Sequence, residues 1–290
     1  MTARGDGIDG KRILITGAAR GIGAALAERL SNRGARVAVA GLEPEALNET
    51  AARCGGPAFA CDVRNRLEVD QAVEAAADAL GGLDIVVANA GVAAQVPMVG
   101  GDPALFEQTV AVNVLGTYYT LRAAGARIRH EGGYALAISS LASAINLPLM
   151  GAYNASKAAV EAMANTLRAE LRPSGARVGI AYFAQLDTEM TTRGFSTEAA
   201  TKFMSKYPMI RHAPLEAGIS ALEHGIDKRS RIIAAPRWVR PLLPTRMVAQ
   251  LVVERVVQRG LPDILRTAEG ETVELTTPQS PNRPDLKDAR

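Results

Sequence analysis

Tyr153 and Lys157 stand four residues apart at the head of an apolar run made of Ala158, Ala159, Val160, Met163, Ala164 and Leu167. The run has helical period, so the phenol and the ammonium lie one turn apart on one face. A free phenol has a pKa of about 10 and is a poor acid at neutral pH. A neighbouring ammonium favours the phenolate and lowers that value. A phenol tuned in this way gives a proton to a carbonyl oxygen or takes one from an alcohol. Tyr and Lys at this spacing are common on helix faces, so their company decides the reading. Ser140 lies 13 residues upstream of Tyr153, at the end of the apolar run 134–138, with Ser139 as the competing hydroxyl.

Residues so far apart need a frame that gathers them. Ile13-Leu14-Ile15 reads as a buried strand over 11–16. Thr16-Gly17-Ala18-Ala19-Arg20-Gly21-Ile22-Gly23 follows, then an alanine-rich helical stretch to Arg33, with Gly34 as its C-cap. Strand, glycine turn and helix form the layout that binds a dinucleotide. The glycines let backbone approach the pyrophosphate, and the helix N-terminus meets it with free N–H groups. Further strands read at 36–40, 58–60, 83–88, 133–139, 177–182 and 231–235. Helices read at 65–80, 104–110, 113–129 and 216–225, with others starting near Pro44 and at Tyr153. The run 83–88 is apolar apart from Asp84, as a parallel strand buried on both faces should be, and Asn89-Ala90-Gly91 ends it.

With these motifs in view, the chain resembles the short-chain dehydrogenase/reductase family over about residues 11–236. The glycine spacing, Gly-x-x-x-Gly-x-Gly, matches that family and not the general Gly-x-Gly-x-x-Gly fingerprint. The resemblance implies an α/β fold: a three-layer, doubly wound Rossmann domain with a seven-stranded parallel sheet. It implies an NAD or NADP cofactor and reversible hydride transfer to or from a carbonyl or secondary alcohol. Tyr153 would be the acid/base, and Lys157 would lower its pKa and bond the nicotinamide ribose. Ser140, which has the family's spacing to the tyrosine, would bond the substrate oxygen. Asn113, in Val-Asn-Val-Leu-Gly, would hold a water near the lysine through its backbone carbonyl. Gly17, Arg20, Gly21, Ile22 and Gly23 would border the dinucleotide, with Gly41 at the end of the second strand. Asp62 and Val63 would meet the adenine, although a turn-forming Asp is the alternative. Asn89, Ala90 and Gly91 would line the adenosine-ribose side, and the Leu186 backbone and Thr188 hydroxyl would hold the carboxamide. No metal is implied.

The chain departs from the family at three places. Ala88 stands where an Asn is commoner, and Phe183-Ala184 replace Pro-Gly, so the turn near the nicotinamide is shaped differently. Gly41-Leu42-Glu43 lacks both the Asp that usually marks NAD and the Arg that often marks NADP. Arg20 can reach a 2′-phosphate and Glu43 can contact a ribose, so the cofactor choice stays split, with a slight lean to NADP.

The chain has 290 residues, 48% hydrophobic and 22% charged, which suits one large soluble domain. A net charge of +3 gives little reason to expect nucleic acid. Two cysteines, Cys54 and Cys61, fit a reducing cytoplasm, and no signal segment or membrane-spanning run is read. Residues 1–10 are expected to be flexible, 189–214 to form a lid over the substrate, and 267–290 to be disordered. Residues 237–266 form a basic extension. Eight basic residues and one acid fall within 228–259. There Met247, Val248, Leu251, Val252 and Val256 oppose a polar row of Arg246, Gln250, Glu254 and Gln258. The favoured reading packs this helix on the domain or on a sister subunit of a homo-oligomer (dimer or tetramer). The sharper one is peripheral contact with anionic lipid. Leu147, Leu149 and Met150 give the substrate pocket an apolar wall, which favours a lipophilic ketone or alcohol. The alternatives are a dinucleotide-sensing protein of the same fold, or a sugar-nucleotide epimerase or dehydratase. The latter would need a different glycine spacing and a larger C-terminal domain.

Overall fold

The structure is a computed structural model that describes residues 7–188, 190–191, 197–207, 212–277 and 279. Seven parallel strands form one sheet in the order β3-β2-β1-β4-β5-β6-β7. They are β1 (Arg12–Thr16), β2 (Arg36–Gly41), β3 (Ala58–Ala60), β4 (Ile85–Ala88), β5 (Tyr134–Ile138), β6 (Arg177–Phe183) and β7 (Ile232–Ala235). The order reverses between β1 and β4, and in such sheets ligands lie at the carboxyl ends of the strands beside that switch.

Alternate side chains of each strand serve opposite faces. Ile13, Ile15, Ile85 and Val87 meet α1 (Gly21–Ser31), α2 (Pro44–Cys54) and α8 (Leu215–Asp227) through Leu26, Leu30, Leu47, Ile219 and Leu222. Leu14, Val86, Ala135 and Ile180 meet α3 (Arg66–Leu80), α5 (Gly116–Gly125) and α6 (Gly151–Leu171) through Val73, Leu121 and Val160. Most of these strand side chains are fully buried, each worth ~1.5–3 kcal/mol. Asn65 caps α3, its Oδ1 accepting from Leu67 N–H at 3.0 Å.

The helix expected at 113–129 is entered differently. α4 (Pro103–Val110) runs through a π-helical turn, Ala111–Leu115, into α5. The extra residue per turn sets Asn113 inward, fully buried. β6 also runs one residue past the expected end, because Phe183 pairs with Ala235.

Two expectations about the ends need correction. Flexibility over 1–10 does not extend to Ile8, which is buried, or to Gly10, whose N–H donates to Gly34 O at 2.9 Å. Residues 1–6 lie outside the described residues. Disorder from residue 267 is also overturned. Thr267 and Ala268 close α11 (Leu261–Ala268), and Leu275 and Thr276 are buried. Burial of these side chains and a pair of backbone-directed bonds to Ala93 hold this segment. Residues 278 and 280–290 lie outside the described residues.

Of the expected lid, 189, 192–196 and 208–211 lie outside the described residues. The remainder contains α7 (Glu198–Lys206), which is packed rather than loop-like. Phe203 and Tyr207 join Leu149, Val257, Ile264 and Ala268 in a third apolar cluster, separate from the two that flank the sheet. No helix among the described residues is long and apolar enough to cross a membrane.

Candidate active site

The glycine turn sits at the carboxyl end of β1. Gly17 has φ of +64°, and a Cβ there would lie 2.6 Å from Ala90 Cα. Only glycine lets β1 and the end of β4 approach so closely. Asn89 joins the two: its Nδ2 donates to Thr16 O at 3.0 Å and to Gly17 O at 2.9 Å, and its N–H donates to Thr16 Oγ1 at 3.2 Å. A Cβ on Gly23 would meet Gly17 O at 2.3 Å and Asn89 Nδ2 at 2.6 Å. Gly23 is buried behind the turn, outside the lining of the cleft. Its part is to let α1 start against the turn.

One cavity of about 430 Å³ runs from this turn to the C-terminal elements. Gly17, Arg20, Gly21, Ile22, Gly41, Asp62, Val63, Asn89, Ala90 and Gly91 line one end. Ser140, Tyr153, Lys157, Leu186 and Thr188 line its middle. Of the expected site residues, only Gly23 and Asn113 fall outside the lining.

α6 presents Tyr153 and Lys157 one turn apart, with Lys157 Nζ 5.6 Å from the Tyr153 ring centroid. The ammonium donates to Ile138 O at 3.0 Å. Burial pushes its pKa down to about 8, so it still carries its charge at neutral pH. The Tyr153 phenol is pushed up, first by burial, against a hydrogen bond with Ser140 that favours the phenolate. The expected lowering by Lys157 is therefore not found. The ammonium spends its hydrogen bond on the end of β5, and desolvation dominates at the phenol. The phenol stays protonated at neutral pH, as a proton donor requires.

Ser139 and Ser140 divide two tasks. Ser139 is buried and donates to Lys157 O at 3.0 Å, pinning α6 to the sheet. Ser140 lines the cavity with Tyr153, donates to Phe183 O at 3.3 Å, and caps the following turn by accepting from Ala142 N–H at 3.1 Å. Asn113 acts through its side chain. Oδ1 accepts from Val92 N–H at 2.8 Å, and Nδ2 donates to Val92 O and Ser156 Oγ, both at 2.9 Å. These bonds fix the π turn to the segment after Gly91. A Cβ on Gly91 would lie 3.3 Å from Lys157 Nζ and 3.4 Å from Asn113 Oδ1.

Two expected contacts are already engaged. Asp62 accepts from Arg64 Nε at 3.0 and 2.9 Å and from Arg64 N–H at 2.9 Å, the turn-forming alternative. Arg20 pairs with Glu43, Nε donating at 3.0 Å.

Sequence reasoning missed residues at the far end of the cavity. Gln95 and Gln185 line it, and Gln95 Oε1 and both polar atoms of Gln185 are buried with no partner among the described residues. Such atoms are costly unless something fills the need. Thr276 and Thr277 also line it, Thr276 Oγ1 accepting from Ala93 N–H at 3.0 Å. No motif marks these positions. The one usable signal was the apolar Leu275 beside them.

The family model for short chain dehydrogenase matches residues 11–199. The chain belongs to the short-chain dehydrogenase family. As a member it is an NAD(P)-dependent oxidoreductase acting on a CH–OH group or its carbonyl. It is 38% identical over 177 residues to the D-threitol dehydrogenase of Mycolicibacterium smegmatis, covering 59% of this chain and 68% of that one. It is 39% identical over 161 residues to a sorbitol dehydrogenase of Cereibacter sphaeroides, covering 53% and 61%. A short chain dehydrogenase from Burkholderia cenocepacia J2315 in complex with NADP superposes with TM-score 0.72 at 25% identity, over 86% of this chain and 98% of that one. One from Burkholderia phymatum in complex with NAD shares the fold, with TM-score 0.73 at 23% identity, over 86% and 95%.

The residues present fit a dinucleotide. The Gly17 backbone makes a cradle that a Cβ would fill, α1 points its N-terminus at it, and Gln185 leaves an unmet polar group near Leu186 and Thr188.

Proposed function

We propose that Tyr153 passes the proton in a reversible oxidation of a lipophilic secondary alcohol. The bound nicotinamide would supply or accept the hydride. In the reducing direction Tyr153 gives its phenolic proton to the carbonyl oxygen, and Ser140 holds that oxygen. The Lys157 ammonium, charged at neutral pH, faces the phenolate left behind and holds the ribose side of the dinucleotide. Asn113 is a positioning residue, and its backbone carbonyl is the proposed seat of a relay water. The observation that carries this reading is the grouping of Ser140, Tyr153 and Lys157 in one cleft shared with the glycine turn, with Lys157 Nζ 5.6 Å from the Tyr153 ring centroid.

Leu141, Ile145, Leu147, Phe203, Met204 and Trp238 give the substrate end an apolar wall, which supports an oily substrate. The unpartnered Gln95 Oε1 favours a second reading, a polyol like those in the relatives' names. A panel of secondary alcohols, followed by absorbance of the reduced cofactor, separates the two. The first reading expects kcat/KM about tenfold or more higher for long-chain or cyclic alcohols than for four- to six-carbon polyols. The reverse order would sink it.

The choice of dinucleotide turns on the Arg20–Glu43 pair. Glu43 neutralises the guanidinium that a 2′-phosphate would need and adds a repelling carboxylate, which moves the lean from NADP toward NAD. A hundredfold preference for NADPH in Michaelis constants would overturn this. We also place the protein in the cytoplasm, in keeping with its free cysteines. A homo-oligomer, read by light scattering, would cover the exposed Phe106 and Tyr118 of α4 and α5.

A further inference from the structure

The helix α10 (Arg246–Val257) is apolar on two sides, where a surface helix ordinarily has one. Arg246 and Gln250 of its polar row face the domain beside Ala249, Val253 and Val257, while Glu254 and Gln258 are exposed. Arg246 Nη2 pairs with Glu161 Oε1 at 2.8 Å, and Gln250 Oε1 accepts from Asn146 N–H at 2.8 Å. A second apolar row faces outward, with Met247 79%, Val248 65%, Leu251 59%, Val252 57% and Val256 48% exposed. Single exposed aliphatic residues need no explanation, but five on one continuous helix face mark an interaction surface.

Four of the five charges around this face are arginines. Arg255 and Arg259 continue the Met247–Leu251 row at four-residue steps, and both are exposed. Arg237 and Arg240 are exposed at α9 (Val239–Leu242) and the turn before it, beside half-exposed Trp238. Glu254 is the only acid between 228 and 259, and it already accepts from Gln250 Nε2 at 3.0 Å. We propose that this face of α10 docks on an anionic lipid surface. An apolar stripe that enters the acyl boundary, rimmed by arginines at headgroup level, is the composition of a helix lying in the interface plane. A second copy suits the face less well. A two-fold pairing of the stripe would gather Arg255 and Arg259 of both copies along one seam, with Glu254 as the one acid on each helix to meet them. Docked in this way, the surface adjoins the substrate end of the active-site cavity, because Val253 on α10, Leu242 and Trp238 line it.

The test is co-sedimentation of the full chain with vesicles of phosphatidylcholine alone and of phosphatidylcholine mixed with phosphatidylglycerol. Binding to the anionic vesicles should exceed binding to the neutral ones by about tenfold or more, and added salt should release it. Trp238 is the only tryptophan, so its emission should shift to the blue on binding. The pair Leu251→Glu and Val252→Glu should lower vesicle binding by at least about tenfold. Turnover of a water-soluble substrate should not change, since neither side chain lines the active-site cavity. No sedimentation with anionic vesicles at low salt would overturn the proposal, as would binding unchanged in the double variant. So would a lipid-independent dimer that the double variant dissolves, which would assign the face to a second copy.

Discussion

In α1 the apolar residues face the sheet and the charged ones face outward; in α10 one apolar row packs inward and a second is left outside. Leu26, Ala27 and Leu30 are fully buried under β1 and β2, while Arg29 reaches across to Glu216 and Glu223. Met247 and Leu251 point away from the domain, while Arg246 and Gln250 anchor the helix to Glu161 and Asn146. Both helices have an amphipathic period, and period says nothing about which row is inside. α1 is committed by its neighbours in sequence, a buried strand and a glycine turn. α10 has no such neighbour, and its anchors lie about a hundred residues upstream.

The contrast makes predictions of decreasing size. Gly23→Ala should strike the glycine-turn half alone. The added Cβ would press on Gly17 O and Asn89 Nδ2, rigid atoms that cannot give way. Overpacking of this kind costs about 1–3 kcal/mol, so the thermal midpoint should fall and dinucleotide affinity should drop about tenfold or more. Normal dinucleotide affinity would show that the turn tolerates the crowding.

The buried Lys157 gives a pH test of the same half. Its folded pKa of about 8 lies below the ordinary 10.5. Between those values the unfolded chain holds a proton that the native state has shed, so stability rises with pH across that window. It gains nothing below about 8, where both states are charged. Relative to Lys157→Met, the wild-type unfolding free energy should rise by up to on the order of 3 kcal/mol from pH 8 to 10.5. A difference that stays flat in denaturant titrations would contradict the burial argument.

Thr276→Val probes the C-terminal side with the smallest effect. It leaves the buried Ala93 N–H without its 3.0 Å acceptor at the cavity wall. A lost buried acceptor costs about 1–3 kcal/mol, so substrate KM should rise several-fold while dinucleotide affinity holds. A matching loss of dinucleotide affinity would mean that the tail supports the whole cleft.

The same division explains how much was legible. The strands, the sheet and the residues around Gly17, Asn89, Ser140, Tyr153 and Lys157 follow from local pattern, because apolar runs and glycine turns state their own geometry. Ser140 could be told from Ser139 by spacing, and the structure separates them by partner: Phe183 O, at the cavity wall, for one and Lys157 O for the other. The inward turn of Asn113 was not legible, since a π turn has no period of its own. Gln95, Gln185 and Thr276 were not legible either, because their place at the cavity depends on contacts between distant segments. The depressed phenol pKa expected from the Tyr-Lys spacing failed because spacing reports neighbours and not burial.

Proton transfer from one phenol is tested most directly by steady-state turnover of Tyr153→Phe beside dinucleotide binding to the same variant. The account predicts a loss of kcat of about 10²–10⁴-fold, with affinity for the dinucleotide within about threefold of wild type. Turnover near the wild-type level would contradict it.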